Sequence, residues 1–174
     1  MALLQIRQYG DEILKKKAKP VTVFDSKLHL LLDDMWDTLK EHDALGLAAP
    51  QVGILRRVAI ILMDDGEPYE FINPVIVEEI GKDTKNEACL SIPNKQGDVE
   101  RAASIKVEAV DRFGNPFTLD ADDVLATGIC HEIDHLDGIL FLDRAIAVQD
   151  CTAEDMQNRK AMKEKLRENR RKRK

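Results

Sequence analysis

The chain has no long apolar run. No stretch approaches the twenty or so consecutive apolar residues that carry a helix across a bilayer, so a membrane is not expected among its partners. The opening Met1-Ala2-Leu3-Leu4-Gln5-Ile6-Arg7 is apolar too briefly to read as a signal peptide. Cysteine is scarce. Cys89, Cys130 and Cys151 cannot all pair and are too few for a disulfide framework. That scarcity points to a reducing, cytoplasmic setting with thiols free for metal chemistry. Internal repeats and a domain-separating linker are also missing, so 174 residues describe one domain with a real core. With 44% apolar and 33% charged residues, the composition is that of a soluble globular protein.

What is present is unevenly distributed. The net charge is −6, but Arg159 to Lys174 hold ten basic and two acidic side chains, a local balance of +8, leaving −14 on the other 158 residues. An acidic body therefore carries a basic tail. The division expected is a main folded domain over residues 1–150 and a C-terminal helix with a basic tail over 151–174. Such a tail is either a solvated helix end or an electrostatic handle for a phosphate-rich surface such as ribosomal RNA. No aromatic residue is interleaved in it, so base stacking is not expected and binding would weaken with salt.

Periodicity predicts a short helix over 10–17 and a longer one from Asp25 or Ser26 to about Asp43, with Leu28, Leu31, Leu32, Met35, Trp36 and Leu39 as its apolar stripe. Val58 to Met63 reads as a buried strand. Tyr69 to Ile80 reads as one or two strands interrupted or edged by Pro74. Alternation over Ser104 to Asp111 and a turn at Arg112-Phe113-Gly114-Asn115 predict a hairpin closed by Pro116 to Leu119. A further helix, capped by Asp120 or Asp122, runs through Val124, Leu125, Ile129 and Ile133 to a stop at Gly138; a last helix starts near Thr152.

That central helix carries the chemistry. In His131-Glu132-Ile133-Asp134-His135 the two histidines stand at i and i+4, one turn apart on one face, where both imidazoles can reach one metal ion. Glu132, next to the first histidine, is placed to exchange protons with a water at such a site without ligating. At average composition this string occurs by chance in fewer than about one chain in a hundred of this length. The fold expected is α+β, with antiparallel sheets packed around the central metal-binding helix, an N-terminal helix and a C-terminal helix.

A catalytic metal needs a third protein ligand. No histidine follows His135, and the nearest downstream carboxylates are Asp137 and Asp143. Upstream, Glu87-Ala88-Cys89-Leu90-Ser91 offers Cys89. It is a better candidate than Cys130, which lies about 100° around the helix from His131, or Cys151 among polar residues. A site of two imidazoles and one thiolate suits Fe(II), Zn(II), Ni(II) or Co(II). Glu87, Asp134 and Arg101 are candidates for orienting the ligands from behind. On the helix face shared with the histidines, Thr127 and Gly128 lie one turn earlier, and Gly128 leaves space that a substrate side chain, or close packing on a sheet, would fill. Leu90 and Leu125 are candidate pocket walls, and Gly46 offers backbone to an extended peptide.

Three segments, Gly46-Leu47-Ala48-Ala49-Pro50-Gln51-Val52-Gly53, Glu87-Ala88-Cys89-Leu90-Ser91 and His131-Glu132-Ile133-Asp134-His135, resemble in order and spacing the signature motifs of the peptide deformylases. The resemblance implies hydrolysis of the N-formyl group from the first methionine of N-formylmethionyl nascent peptides. It implies one divalent ion, Fe(II) in the cell, held by Cys89, His131 and His135, with Glu132 moving protons. It maps the donors that stabilise the oxyanion to the Gln51 amide and the Leu90 backbone N–H. The chain departs from the family pattern at Ala44 and Ala88, where glycine is common, and at Cys130, where glutamine is common. The two alanines are expected to narrow the cleft, and Cys130 to bring oxidation sensitivity. Two rivals stand beside this reading. A His-Glu-x-x-His metallopeptidase would cleave unformylated peptides without needing Cys89. A catalytically silent protein would use only its tail, on ribosomal RNA.

Overall fold

The computed structural model describes residues 2–172. Arg173 and Lys174 of the basic tail lie outside the described residues, as do the side chains of Arg159, Lys163, Arg167, Arg170 and Arg171.

Helix α1 (Ser26–Glu41) forms because Asp25 accepts hydrogen bonds from the Lys27 and Leu28 N–H groups, both at 3.1 Å, and satisfies its first turn. Its buried Leu28, Leu31, Leu32, Met35 and Leu39 recur at helical spacing and pack on Leu47, Val58, Ile60 and Ile72. The helix expected over 10–17 is only a 3₁₀ turn, Glu12–Lys15, capped by Asp11. With Leu14 its one buried residue, that segment has too little apolar surface to hold a longer helix.

The pairings among the described strands are antiparallel. The strands β1 (Gly46–Ala48), β2 (Val58–Leu62), β3 (Pro68–Ile80), β6 (Ser104–Val110) and β7 (Pro116–Asp122) form one sheet in that spatial order. In the second sheet β4 (Asp83–Cys89), β5 (Ile92–Arg101) and β8 (Ala147–Asp150) lie side by side. Pro74 does not end β3. The strand runs on through a register shift between Ile72 and Val75, where Asn73 takes φ 53° and Pro74 has no N–H to give the ladder. The Asn73 amide exchanges two 2.8 Å bonds with the Val21 backbone and ties the N-terminal segment to the sheet.

Helix α2 (Asp123–Leu136) follows β7 without a loop. The capping expected from Asp120 or Asp122 is not made. Both residues belong to β7, paired with Lys106 and Ser104, and the Asp122 side chain, although at the cap position, makes no capping bond. Ala126, Ile129 and Cys130 bury one face of α2 against Ile61, Phe71, Ile105 and Val107. The opposite face bonds to the β4–β5 hairpin. Gly138 stops the helix with φ +75°, and a Cβ there would stand 2.5 Å from the Lys15 carbonyl oxygen. Only glycine allows that approach. The short α3 (Phe141–Arg144) and β8 then lead to α4 (Ala153–Arg171). Thr152 and Asp155 cap α4 reciprocally, side chain to backbone, at 3.1 and 2.8 Å. No described helix is long and apolar enough to cross a membrane.

Candidate metal centre

Three segments bring the chemistry together. Cys89 ends β4 and pairs with Ile92, leaving Leu90 and Ser91 as a two-residue hairpin turn. The ladder shifts register just before Cys89, opposite Pro93, Asn94 and Lys95, with Asn94 at φ 64°. The hairpin thereby turns the thiol toward α2, where His131 and His135 stand one turn apart with ring centroids 4.9 Å from each other. The Cys89 sulfur and one nitrogen of each imidazole all lie within 4.8 Å of one another, and Cys89 Sγ is 3.2 Å from His135 Nε2. A tetrahedral ion with ordinary metal–sulfur and metal–nitrogen bonds would hold such atoms about 3.5 Å apart. The donor set therefore fits one soft-to-borderline divalent ion.

Behind the histidines runs a buried chain of ion pairs. His131 Nδ1 donates to Glu87 Oε2 at 2.7 Å, which leaves Nε2 facing the thiol side. Arg101 grips Glu87 in a fork, Nε to Oε1 at 2.5 Å and Nη2 to Oε2 at 2.9 Å, and reaches Asp134 Oδ2 through Nη1 at 2.8 Å. Arg144 forks onto Asp134 from the far side at 2.6 and 2.8 Å. Burial works to raise the Glu87 pKa, but Arg101 and His131 outweigh it and hold the carboxyl at about 2. Glu87 is thus a carboxylate across the neutral range, the state a ligand histidine needs beside its second nitrogen. Burial also works to lower the His131 pKa, yet its bonds to Cys89 and Glu87 raise it well above the ordinary value. His135 moves the other way, kept neutral by burial and by the neighbouring positive charge of His131. The Cys89 sulfur and the two imidazoles are donors of the kind a borderline divalent ion takes.

Glu132 is buried, and burial pushes its carboxyl up to about 7. Its Oε1 occupies the space that a Cβ on Gly46 would need, so glycine at 46 is what admits the carboxylate. Glu132 Oε2 and His135 Nδ1 are buried without a hydrogen-bond partner among the described residues. Gln51 lies in the 3₁₀ turn Ala49–Val52 after β1. Its Oε1 accepts from the Ala48 N–H at 2.8 Å, and its Nε2 is 3.2 Å from Ser91 Oγ and 3.4 Å from Cys89 Sγ. Because a backbone N–H can only donate, the amide can be set in one way only.

The remaining residues expected near the site are spread around it. Leu90 is half-buried against the α1 side of the core, and Leu125 against the α2 side. The Thr127 hydroxyl bonds back to the Asp123 carbonyl within the helix. Gly128 is buried, and a Cβ there would meet Ile61 and Leu45 at an ordinary 3.5 Å. Ala88 is exposed. Cys130 packs in the core with Ile61 and Phe71, and burial pushes its thiol up to about 11, which works against the oxidation sensitivity expected of it. Two participants were not foreseen. Arg144 lies ten residues beyond its partner Asp134, and nothing in its local sequence marks it. Ser91 stands in the Glu87–Ser91 segment, where nothing in the sequence gives it a task. A cavity of about 490 Å³ on the far side of α2, lined by Arg57, Cys130, Ile133 and Arg144, has none of the three clustered donors in its wall.

A model of the polypeptide deformylase family matches residues 3–150. The chain belongs to the peptide deformylase family. It is 49% identical to the peptide deformylase of Caldicellulosiruptor bescii over 166 residues, covering 95% of this chain and 98% of that one. The crystal structure of the deformylase from Thermotoga maritima superposes with a TM-score of 0.82 at 36% identity, covering 84% of this chain and all of that one. A deformylase from Synechococcus elongatus in complex with actinonin gives 0.80 at 39% identity, covering 83% and 79%. Deformylases are metal-dependent hydrolases that remove the formyl group from the N-terminus of nascent peptides, and that is the activity of this chain.

The ion-pair chain gives a test specific to this deformylase. Arg101→Met leaves the buried Glu87 without its guanidinium and weakens the hold on Asp134. Removing one partner of such a buried set costs about 3–5 kcal/mol, so urea unfolding in the presence of a chelator should show a loss of that size. A loss below about 1 kcal/mol would mean that the chain of ion pairs does not hold the hairpin to α2.

Proposed function

We propose that deformylation is carried by the residues that converge on the Cys89 thiol. Cys89, His131 and His135 would hold one divalent ion, Fe(II) in the cell, with Zn(II), Ni(II) and Co(II) able to use the same donors. When bound, the ion supplies Lewis acidity, which polarises the formyl carbonyl and acidifies water. Glu132 takes the proton from the attacking water and hands it to the departing amine nitrogen, which leaves poorly without it. The Gln51 amide and the Leu90 N–H stabilise the oxyanion that develops on the formyl oxygen. What carries this reading is one observation: two helical imidazoles and a hairpin thiol cluster within 4.8 Å, with a fixed amide N–H₂ group 3.4 Å from that thiol.

Substrate binding follows from the edges of the fold. β1 is an edge strand of its sheet, so Gly46 can offer unpaired backbone to an extended peptide lying alongside. Leu90, Leu125, Thr127 and Gly128 would line the side chain of the first methionine. Residues 1–150 would form the catalytic unit, and 151–174 would add helix α4 and a basic end for the ribosome. The free state of Cys89, Cys130 and Cys151 supports a cytoplasmic setting.

Two experiments test these assignments. With formyl-Met-Ala-Ser, Glu132→Gln should lose about two to four powers of ten in kcat while keeping its metal, and unformylated Met-Ala-Ser should not be cleaved by either protein. Full activity in Glu132→Gln, or peptide-bond cleavage without a formyl group, would contradict the proposal. Deleting Arg159 to Lys174 should leave turnover of this short peptide unchanged and weaken co-sedimentation with ribosomes at low salt. Unchanged co-sedimentation would remove the tail from the account.

A further inference from the structure

The proposed oxyanion donors sit on two different loops, and something must keep them in register. Gln51 belongs to the turn after β1, Leu90 to the β4–β5 hairpin turn, and no strand pairing joins β1 to β4 or β5. The contact between the two loops is made through Ser91. Its side chain is fully buried, and its Oγ accepts from Gln51 Nε2 at 3.2 Å. The amide oxygen is already fixed by the Ala48 N–H. With one amide hydrogen directed to Ser91, the second is left for the side of Cys89, 3.4 Å away. Without Ser91 the amide would keep its oxygen anchor and the long contact to Cys89, and its plane would be held less firmly.

The N-terminal segment holds the same pair of loops from outside. The Arg7 N–H donates to the Gln51 carbonyl and the Tyr9 N–H to the Ser91 carbonyl, both at 2.7 Å, while the Gln8 side chain reaches the Leu90 carbonyl at 3.4 Å. Three consecutive residues thus contact both donor residues and the serine between them. This is a strap, and Ser91 is where it meets the amide.

We infer that Ser91 is a positioning residue for the reaction, orienting the Gln51 amide toward the formyl oxygen, with the Arg7–Tyr9 strap fixing Ser91 itself. The inference rests on the assignment of Gln51 as an oxyanion donor. An orienting role predicts an effect on the transition state, where the donor must already be in place, and little effect on substrate binding.

The test is a double-mutant cycle on the metal-loaded enzyme with formyl-Met-Ala-Ser. Gln51→Ala should lower kcat about a hundredfold or more. Ser91→Ala should lower kcat about tenfold with KM, metal content and Tm unchanged, and should lower it no further when Gln51 is already alanine, because the two act as one unit. If Gln51→Ala is fully active, the oxyanion assignment fails. If Gln51→Ala is impaired but Ser91→Ala is silent, or its effect multiplies that of Gln51→Ala, the positioning role alone is overturned. A Ser91→Ala protein that loses metal or melts several degrees lower overturns it too, by showing that the hydroxyl serves the fold rather than the amide.

Discussion

The constraint on which the rest depends is the buried line His131–Glu87–Arg101–Asp134–Arg144. It joins three parts of the fold that no backbone ladder links to one another: α2 supplies His131 and Asp134, the β4–β5 hairpin supplies Glu87 and Arg101, and α3 supplies Arg144. Charges are expensive to bury, and each one here is bonded to the next. The geometry that satisfies them also sets the distance between Cys89 at the end of β4 and the imidazoles on α2. Packing alone would allow the hairpin to slide; a forked guanidinium between two carboxylates does not.

Around this line the apolar core does ordinary work. Leucines of α1 and the buried faces of β2 and β3 form one cluster, and α2 on the five-stranded sheet forms another. These clusters hold α2 rigid, with its polar face left for chemistry. Glycine is used where backbones or functional groups must come close. At Gly46 it admits the Glu132 carboxylate, and at Gly138 it lets the N-terminal segment cross the end of the metal helix. The fold thus places the Glu132 carboxylate, a fixed amide and the clustered Cys89, His131 and His135 donor atoms at the junction of two sheets and one helix.

Much of this was legible in the sequence. The α1 stripe, the β2 run, the β6–β7 hairpin and α2 are strongly periodic, and their bounds agree closely with expectation. The His-Glu-x-x-His spacing is a local consequence of helix geometry, and Cys89 followed from the need for a third ligand. The second sheet was not legible. β4 reads Asp-Thr-Lys-Asn-Glu-Ala-Cys and β5 contains Pro93, Asn94 and Gly97, so neither shows apolar alternation, and their ladder is what makes them strands. Arg144 and Ser91 were missed for a related reason. Their partners are fixed by tertiary approach, which no periodicity records. Glu87, Asp134 and Arg101 could be named as candidates, but the order in which they bond depends on the hairpin the sequence concealed.

The central claim is that one sulfur and two imidazole nitrogens hold a single ion. X-ray absorption at the zinc K-edge of the zinc-loaded protein measures that shell directly. The account predicts one sulfur at about 2.3 Å and two nitrogens at about 2.0–2.1 Å, with the sulfur lost in Cys89→Ala. A shell of nitrogen and oxygen alone in the unmutated protein would contradict it.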